Sequence, residues 1–338
     1  MPSLAAEVFT TAITVTLCFV GLFGNCCILW AHAFDRHLRH KICYIVTVIA
    51  FLHAVCLLNE LYLEVRQLRF HGSSRSECFR QTCIYVFVFM AQAAMFLMLA
   101  VDHLFAVTIP LKHNMFPTLP YVLYLCIPPL LFASAIVASS IVFMNDDHID
   151  LCTPIQAMPP NVQSVMYVII ILNTAVLLTL LSVITIVRSR KKRMRTPSSQ
   201  AALSVTVATH PPAGHEKASR HSTTSRTSYS SELKMMRSFI MLVMFFVCSW
   251  CVSTVATHIV VRYLQPDSDI SIFVQTYVVI TVLPTYCQCY FVSYFRSPHH
   301  RTVYRKQLKF LFPCLVWDKE EREGNSRPSA IKVRSISI

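Results

Sequence analysis

The sequence predicts an all-α protein: a bundle of seven transmembrane helices, followed by a short amphipathic helix on the cytoplasmic membrane surface. Three observations predict it. Seven apolar runs, each close to the thickness of a bilayer, divide the chain. The charge between them is one-sided. The composition, 54% hydrophobic and only 14% charged, suits a chain whose core and lipid-facing surface are both apolar.

The runs cover residues 5–33, 42–65, 83–107, 121–144, 162–187, 239–261 and 270–295. A spanning helix needs ~20 mostly apolar residues, because each residue rises ~1.5 Å through ~30 Å of hydrocarbon. The first run is long and has almost no basic segment ahead of it, so it reads as an uncleaved anchor rather than a cleaved signal. Seven is odd, so the termini lie on opposite sides of the membrane. Lysine and arginine accumulate in cytoplasmic loops. With the N-terminus outside, segments 34–41, 108–120, 188–238 and 296–338 are cytoplasmic and hold 25 of the 30 basic residues. The net charge of +13 therefore reflects topology and calls for no nucleic-acid partner. Its clusters face anionic inner-leaflet lipid.

The connections are short except for 188–238. That loop opens with Arg188, Arg190, Lys191, Lys192, Arg193 and Arg195, then turns rich in Ser, Thr, Ala and Pro. The basic opening is expected to extend the fifth helix by a turn or two, with most of the loop disordered. Residues 1–298 thus form the membrane domain. Residues 299–312 alternate basic and apolar residues at helical spacing, the pattern of a helix lying on the inner leaflet. Residues 313–338 read as a disordered cytoplasmic tail.

Of the 14 cysteines, ten lie inside apolar runs and read as small core residues. Cys78, Cys83 and Cys152 sit at or near the outer face. Cys314, just past the amphipathic helix, is either a site of S-palmitoylation or a free juxtamembrane thiol.

Several phrases resemble the rhodopsin-like G-protein-coupled receptors. Gly24-Asn25 is similar to the Gly-Asn of that family's first helix. Asp102-His103-Leu104, closing at Pro110, is similar to the Asp-Arg-Tyr-x-x-Ile-x-x-Pro that ends its third helix. Cys78 precedes His103 by the family's spacing for the outer disulfide cysteine, and Phe246-Val-Cys-Ser-Trp250 is similar to the Phe-x-x-x-Trp of its sixth. Three features look most like the nematode serpentine chemoreceptors of the Srsx type. These are the phrase from Val101 to Val107 with Pro110-Leu111-Lys112-His113, a sixth helix with tryptophan but no proline, and the ending from Cys289 to Ser297.

The resemblance implies a receptor that binds an extracellular small-molecule or peptide ligand and activates a heterotrimeric G protein. It implies an outer disulfide from Cys78 to Cys152, with Cys83 as the rival partner. It places Tyr85, Phe89, Phe246 and Trp250 at the floor of a ligand pocket between the helices, although all four also read as ordinary core aromatics. Coupling falls to Asp102, His103, Leu104 and Pro110. The departures matter as much. His103 replaces the usual arginine, and an imidazole offers fewer donors than guanidinium. His53 replaces the second-helix aspartate and Cys289 the seventh-helix asparagine, so no sodium site is expected. Pro284 is positioned to kink the seventh helix.

Other residues carry two readings each. His53 is a pH sensor or a polar hub with Asn25 and Gln92, or simply a neutral packed histidine. Glu60 and Glu64, one turn apart near the outer end of the second helix, face a cationic ligand or pair with Arg66 or Arg69. Glu232 holds His103 in an inactive state or is a helix-start acid. No metal-ligand cluster, nucleophile motif or phosphate loop appears, so neither enzyme activity nor a cofactor is expected. A seven-helix transporter or channel is the alternative class, and a receptor-like protein that has lost coupling is the third.

Overall fold

A computed structural model describes residues 4–67, 72–149, 152–205, 240–250, 252, 253, 255, 256 and 269–313. The helices are α1 (Leu4–Phe34), α2 (Lys41–Gln67), α3 (Arg75–Thr108), α4 (Pro110–Met115), α5 (Thr118–Val142), α6 (Pro160–Val205), α7 (Ile240–Trp250), α8 (Asp269–Arg296) and α9 (Pro298–Leu311). Among the described residues, α1, α2, α3, α5 and α6 are long and apolar enough to cross a membrane. α8 has 28 residues, or ~42 Å of helix, which is also enough. Glu232, Cys314 and most of the long loop lie outside the described residues.

α6 departs from expectation. It continues as helix to Val205, about five turns past residue 187 rather than one or two. Arg188–Arg195 holds six Arg and Lys, which lose little rotamer freedom in a helix, but the helix also runs on through Pro197 and three serines that local propensity does not favour.

Local chemistry sets the element boundaries. Ser74 caps α3, accepting from the Glu77 N–H at 3.3 Å, and Glu77 places an acid in the first turn, where the helix dipole favours it. α3 stops at Ile109 because the residue before a proline is driven out of the helical region. Pro110 then opens α4, where its missing N–H costs nothing. Ser297 and Pro298 open α9 in the same way. Pro284 sits inside α8 and removes the N–H that would close on Ile280.

α3 is the centre of the bundle. Of its most apolar stretch 61% is buried, against 28% for α5 and α6, whose outer faces carry residues such as Leu131 and Ile171. It packs on α2, α5 and α6, while α1 packs on α2 and α8. One end of the bundle is closed by a two-residue hairpin of β1 (Ser73–Ser74) and β2 (His148–Ile149), antiparallel with Ser73 opposite Ile149. Gly72 precedes it at φ 73°, a left-handed conformation that residues with a side chain rarely adopt, and a Cβ there would lie 2.9 Å from the His148 ring. The Cys78–Cys152 disulfide sits beside this hairpin, and Cys83 is free.

α9 closes the other end. Tyr304 is buried and packs its ring at a tilt against Tyr290, 4.8 Å between centroids. Gln307 donates to the Cys27 carbonyl at 3.2 Å. Arg301 donates to the Tyr294 and Phe295 carbonyls at 3.2 and 2.8 Å, placing a cation at the C-terminus of α8, where the helix dipole favours it. His300, partly buried with its Nδ1 2.8 Å from the Ser297 hydroxyl, is held down to about 4 from an ordinary 6.5. Burial is the main cause and His299 adds to it, while Asp35 opposes. Between those values the unfolded chain binds the proton and the folded one does not. The contribution to stability is therefore complete above pH 6.5 and is lost as pH falls toward 4. Thermal unfolding of the solubilised protein should drop between pH 7 and pH 5, and His300→Asn should flatten that slope. An equal slope in the variant would remove His300 as its source.

Candidate functional site

A buried carboxylate lies toward the disulfide end of the bundle. Glu60, on α2, is 8% exposed. Its Oε1 accepts from the Tyr85 hydroxyl on α3 at 2.6 Å, and that hydroxyl is 3.1 Å from the hydroxyl of Tyr286 on α8. One turn further along α2, Glu64 is half-buried and accepts from the Thr11 hydroxyl of α1 at 3.2 Å. Four helices thus contribute to one acidic patch. An ionised carboxylate out of water is costly unless positive charge or several donors reach it.

Below Glu60 the rings form a closed circuit. Tyr85 stacks on Phe89 at 5.9 Å, Phe89 meets Trp250 at 4.6 Å, Trp250 meets Phe246 at 4.9 Å, and Phe246 stacks on Phe96 at 4.0 Å. The circuit returns through His53, 6.1 Å from Phe96 and 5.4 Å from Tyr286. All but the tighter Phe246–Phe96 pair fall in the ~4.5–7 Å range where aromatic pairs add to plain burial. The circuit ties α3 to α7 on one side and to α2 and α8 on the other. Phe89 and Trp250 also border a cavity of about 300 Å³, including its open mouth, with Met166, Tyr167 and Ser253. The Trp250 Nε1 completes no hydrogen bond among the described residues.

The expected hub of Asn25, His53 and Gln92 takes a different form. The three do not bond one another. Asn25 donates to the Tyr286 carbonyl at 2.9 Å. The Nδ1 of His53 lies 3.7 Å from the Cys289 sulfur. Gln92 accepts from the Cys56 thiol at 3.8 Å. All three converge on Tyr286, Asn25 through its carbonyl, His53 through its ring and Gln92 through its hydroxyl, a residue the sequence reading passed over. Its only signal was a tyrosine inside an apolar run two residues after Pro284.

At the α9 end, Asp102 is buried and its Oδ1 is 2.9 Å from the Nε2 of His113 on α4. Lys41, at the start of α2, donates to the His113 carbonyl and lies 5.0 Å over the Tyr121 ring of α5. His103 is buried, with Arg188 of α6 near it. Leu104 is half-buried, and Pro110 is exposed at the start of α4. His113 was not anticipated as the partner of Asp102. Along one continuous helix, 11 residues would separate the two by ~16 Å. The break at Ile109 and Pro110 turns α4 back and closes that distance.

Of the residues singled out from sequence, Glu60, Tyr85, Phe89, Phe246 and Trp250 come together. Glu64 lies beside them on a separate partner. Asp102, His103, Leu104 and Pro110 share the opposite end. The family model described as serpentine type 7TM GPCR chemoreceptor Srsx matches residues 18–308. No curated protein matches the chain.

Proposed function

Because this chain belongs to the Srsx family of serpentine seven-helix chemoreceptors, we propose that it is a plasma-membrane receptor that binds an extracellular ligand at Glu60 and activates a heterotrimeric G protein at the α9 end. The observation that carries the reading is the buried Glu60 carboxylate seated on an aromatic column that joins α3 to α7. The disulfide end faces outward, in keeping with the basic residues concentrated in segments at the other end.

The ligand chemistry follows from the site. Glu60 has one hydroxyl donor where a charged carboxylate wants several. A small cationic group, presented by a small molecule or a peptide, supplies the missing charge, with Glu64 adding to the field. Its body fits against Tyr85, Phe89 and Trp250, whose faces attract cations. Binding draws Tyr85 from Glu60 and moves Phe89 against Trp250. A ligand shifts the receptor only by its differential affinity for the two packings, so the contact must be better in the active one. Asp102, His103, Leu104 and Pro110 then border the groove that receives the G protein.

The test is agonist-stimulated nucleotide exchange on purified receptor and G protein, using agonists found by screening small external chemicals. Glu60→Gln keeps the shape and the Tyr85 bond but removes the charge. It should raise the agonist concentration needed by about 10- to 100-fold, the loss of one charge-assisted hydrogen bond. An unchanged response would exclude Glu60 as the counter-ion. A second reading, ligand binding without coupling, is favoured by His103, buried where relatives present an arginine. Saturable agonist binding with no exchange would select it.

A further inference from the structure

A second cavity, of about 700 Å³ with its open mouth, lies at the α9 end between α1, α2, α8 and α9, reaching Leu99 of α3 and Leu242 of α7. It shares no residue with the Glu60 site. Its wall is largely aliphatic, including Ile28, Ile42 and Val46, and no carboxylate lines it. The polar side chains that do, among them His32, Thr47 and Ser297, can all donate a hydrogen bond.

His32 is the anomaly. Both ring nitrogens are shielded from solvent and complete no hydrogen bond among the described residues, although the Leu38 backbone lies near. The ring is held edge-on to Tyr44 at 4.3 Å, and Arg39 is close enough to act on its charge. Asp35, three residues after His32, faces His299 at 3.9 Å. A buried donor without an acceptor is rare in folded proteins and costly. An aliphatic chamber with an unmet donor beside an arginine is complementary to a chain that ends in an anion.

We propose that this cavity binds a single-chain aliphatic acid, its anionic head on His32 beside Arg39 and its tail among Ile42, Val46, Leu99 and Leu242. The site stands whether or not Glu60 is the counter-ion of an external ligand.

Full-length protein in lipid nanodiscs, photolabelled with a diazirine-bearing dodecanoic acid and mapped by peptide mass spectrometry, tests it. Saturable labelling is expected on peptides spanning 28–47 and 292–304. Dodecanoate should displace it, and dodecanol and dodecylamine should not. Better displacement by a lysophosphatidate of the same chain would assign the head to a lipid. Displacement by dodecanoate alone would assign it to a free acid. His32→Phe should weaken dodecanoate binding about tenfold, as loss of one hydrogen bond to a charged group does. The labelling map of the unaltered protein decides the matter even if that variant folds poorly. Unsaturable labelling spread over outward-facing residues such as Phe51 and Leu58 would overturn the proposal. So would equal displacement by dodecanol.

Discussion

Replacing Cys152 by serine should lower the stability of the folded protein by about 4 kcal/mol, the chain-entropy value for a cross-link of this span. The bond closes a loop of 74 residues, with Cα atoms 5.7 Å apart, and both cysteines are buried. It anchors the segment after β2 to the first turn of α3. The hairpin's other side-chain ties are exposed: Arg75 bonds Asp147 at 2.9 Å and also Asn145, and Ser76 bonds Asp146; exposed contacts of this kind contribute little. Thermal unfolding of solubilised protein and the fraction reaching the cell surface both report the loss. Cys78→Ser should match Cys152→Ser, and the double variant should cost no more than either. Cys83→Ser should be close to neutral. Additive losses in the double variant would mean that the two sulfurs act separately.

Gly24→Val should be the most damaging substitution within the apolar spans. A Cβ at Gly24 would sit 2.8 Å from the Cβ of Tyr290. That atom is fixed to the α8 backbone, so the two helices must part. Separation also strains the bond from Asn25 to the Tyr286 carbonyl and the Tyr290–Tyr304 ring contact. Small residues at membrane helix crossings permit this close approach. Overpacking by one methyl costs ~1–3 kcal/mol, and valine adds two more carbons. Gly21 makes the control. Its Cβ would meet Leu57 Cδ1 at 2.7 Å and Cys287 Sγ at 2.8 Å, the ends of side chains that can turn aside. Gly24→Ala should therefore lower the unfolding temperature more than Gly21→Ala. The reverse order would show that helix separation is not what limits the site.

Most of the fold is legible in the order of residues, because helices obey local rules. Length and hydropathy mark the spans, and the ends of α3, α4 and α9 follow from Ser74, Pro110, Ser297 and Pro298. The basic opening Arg188–Arg195 predicts one or two further turns of α6, but the helix runs ten residues beyond Arg195, through Pro197 and three serines, where local propensity carries no signal for it. Glu60, Tyr85, Phe89, Phe246 and Trp250 were readable as types suited to a site. Their arrangement was not.

What the sequence determined by itself is the number of apolar runs, the side on which charge gathers and the positions of most helix ends. Each depends on residues a few places apart. Only the tertiary structure decided that Tyr85 bonds Glu60 and touches Tyr286, 201 positions away, that Asn25 reaches across 261 positions to the backbone of that residue, and that His113 turns back onto Asp102. Helical periodicity tells which face of a helix is apolar and nothing about which neighbour meets it. In a span that is apolar on every side even the face is unmarked. Those pairings are set by how closely the helices can pack, and at Gly24, where an added Cβ would lie 2.8 Å from the Tyr290 Cβ, α1 and α8 are already at that limit.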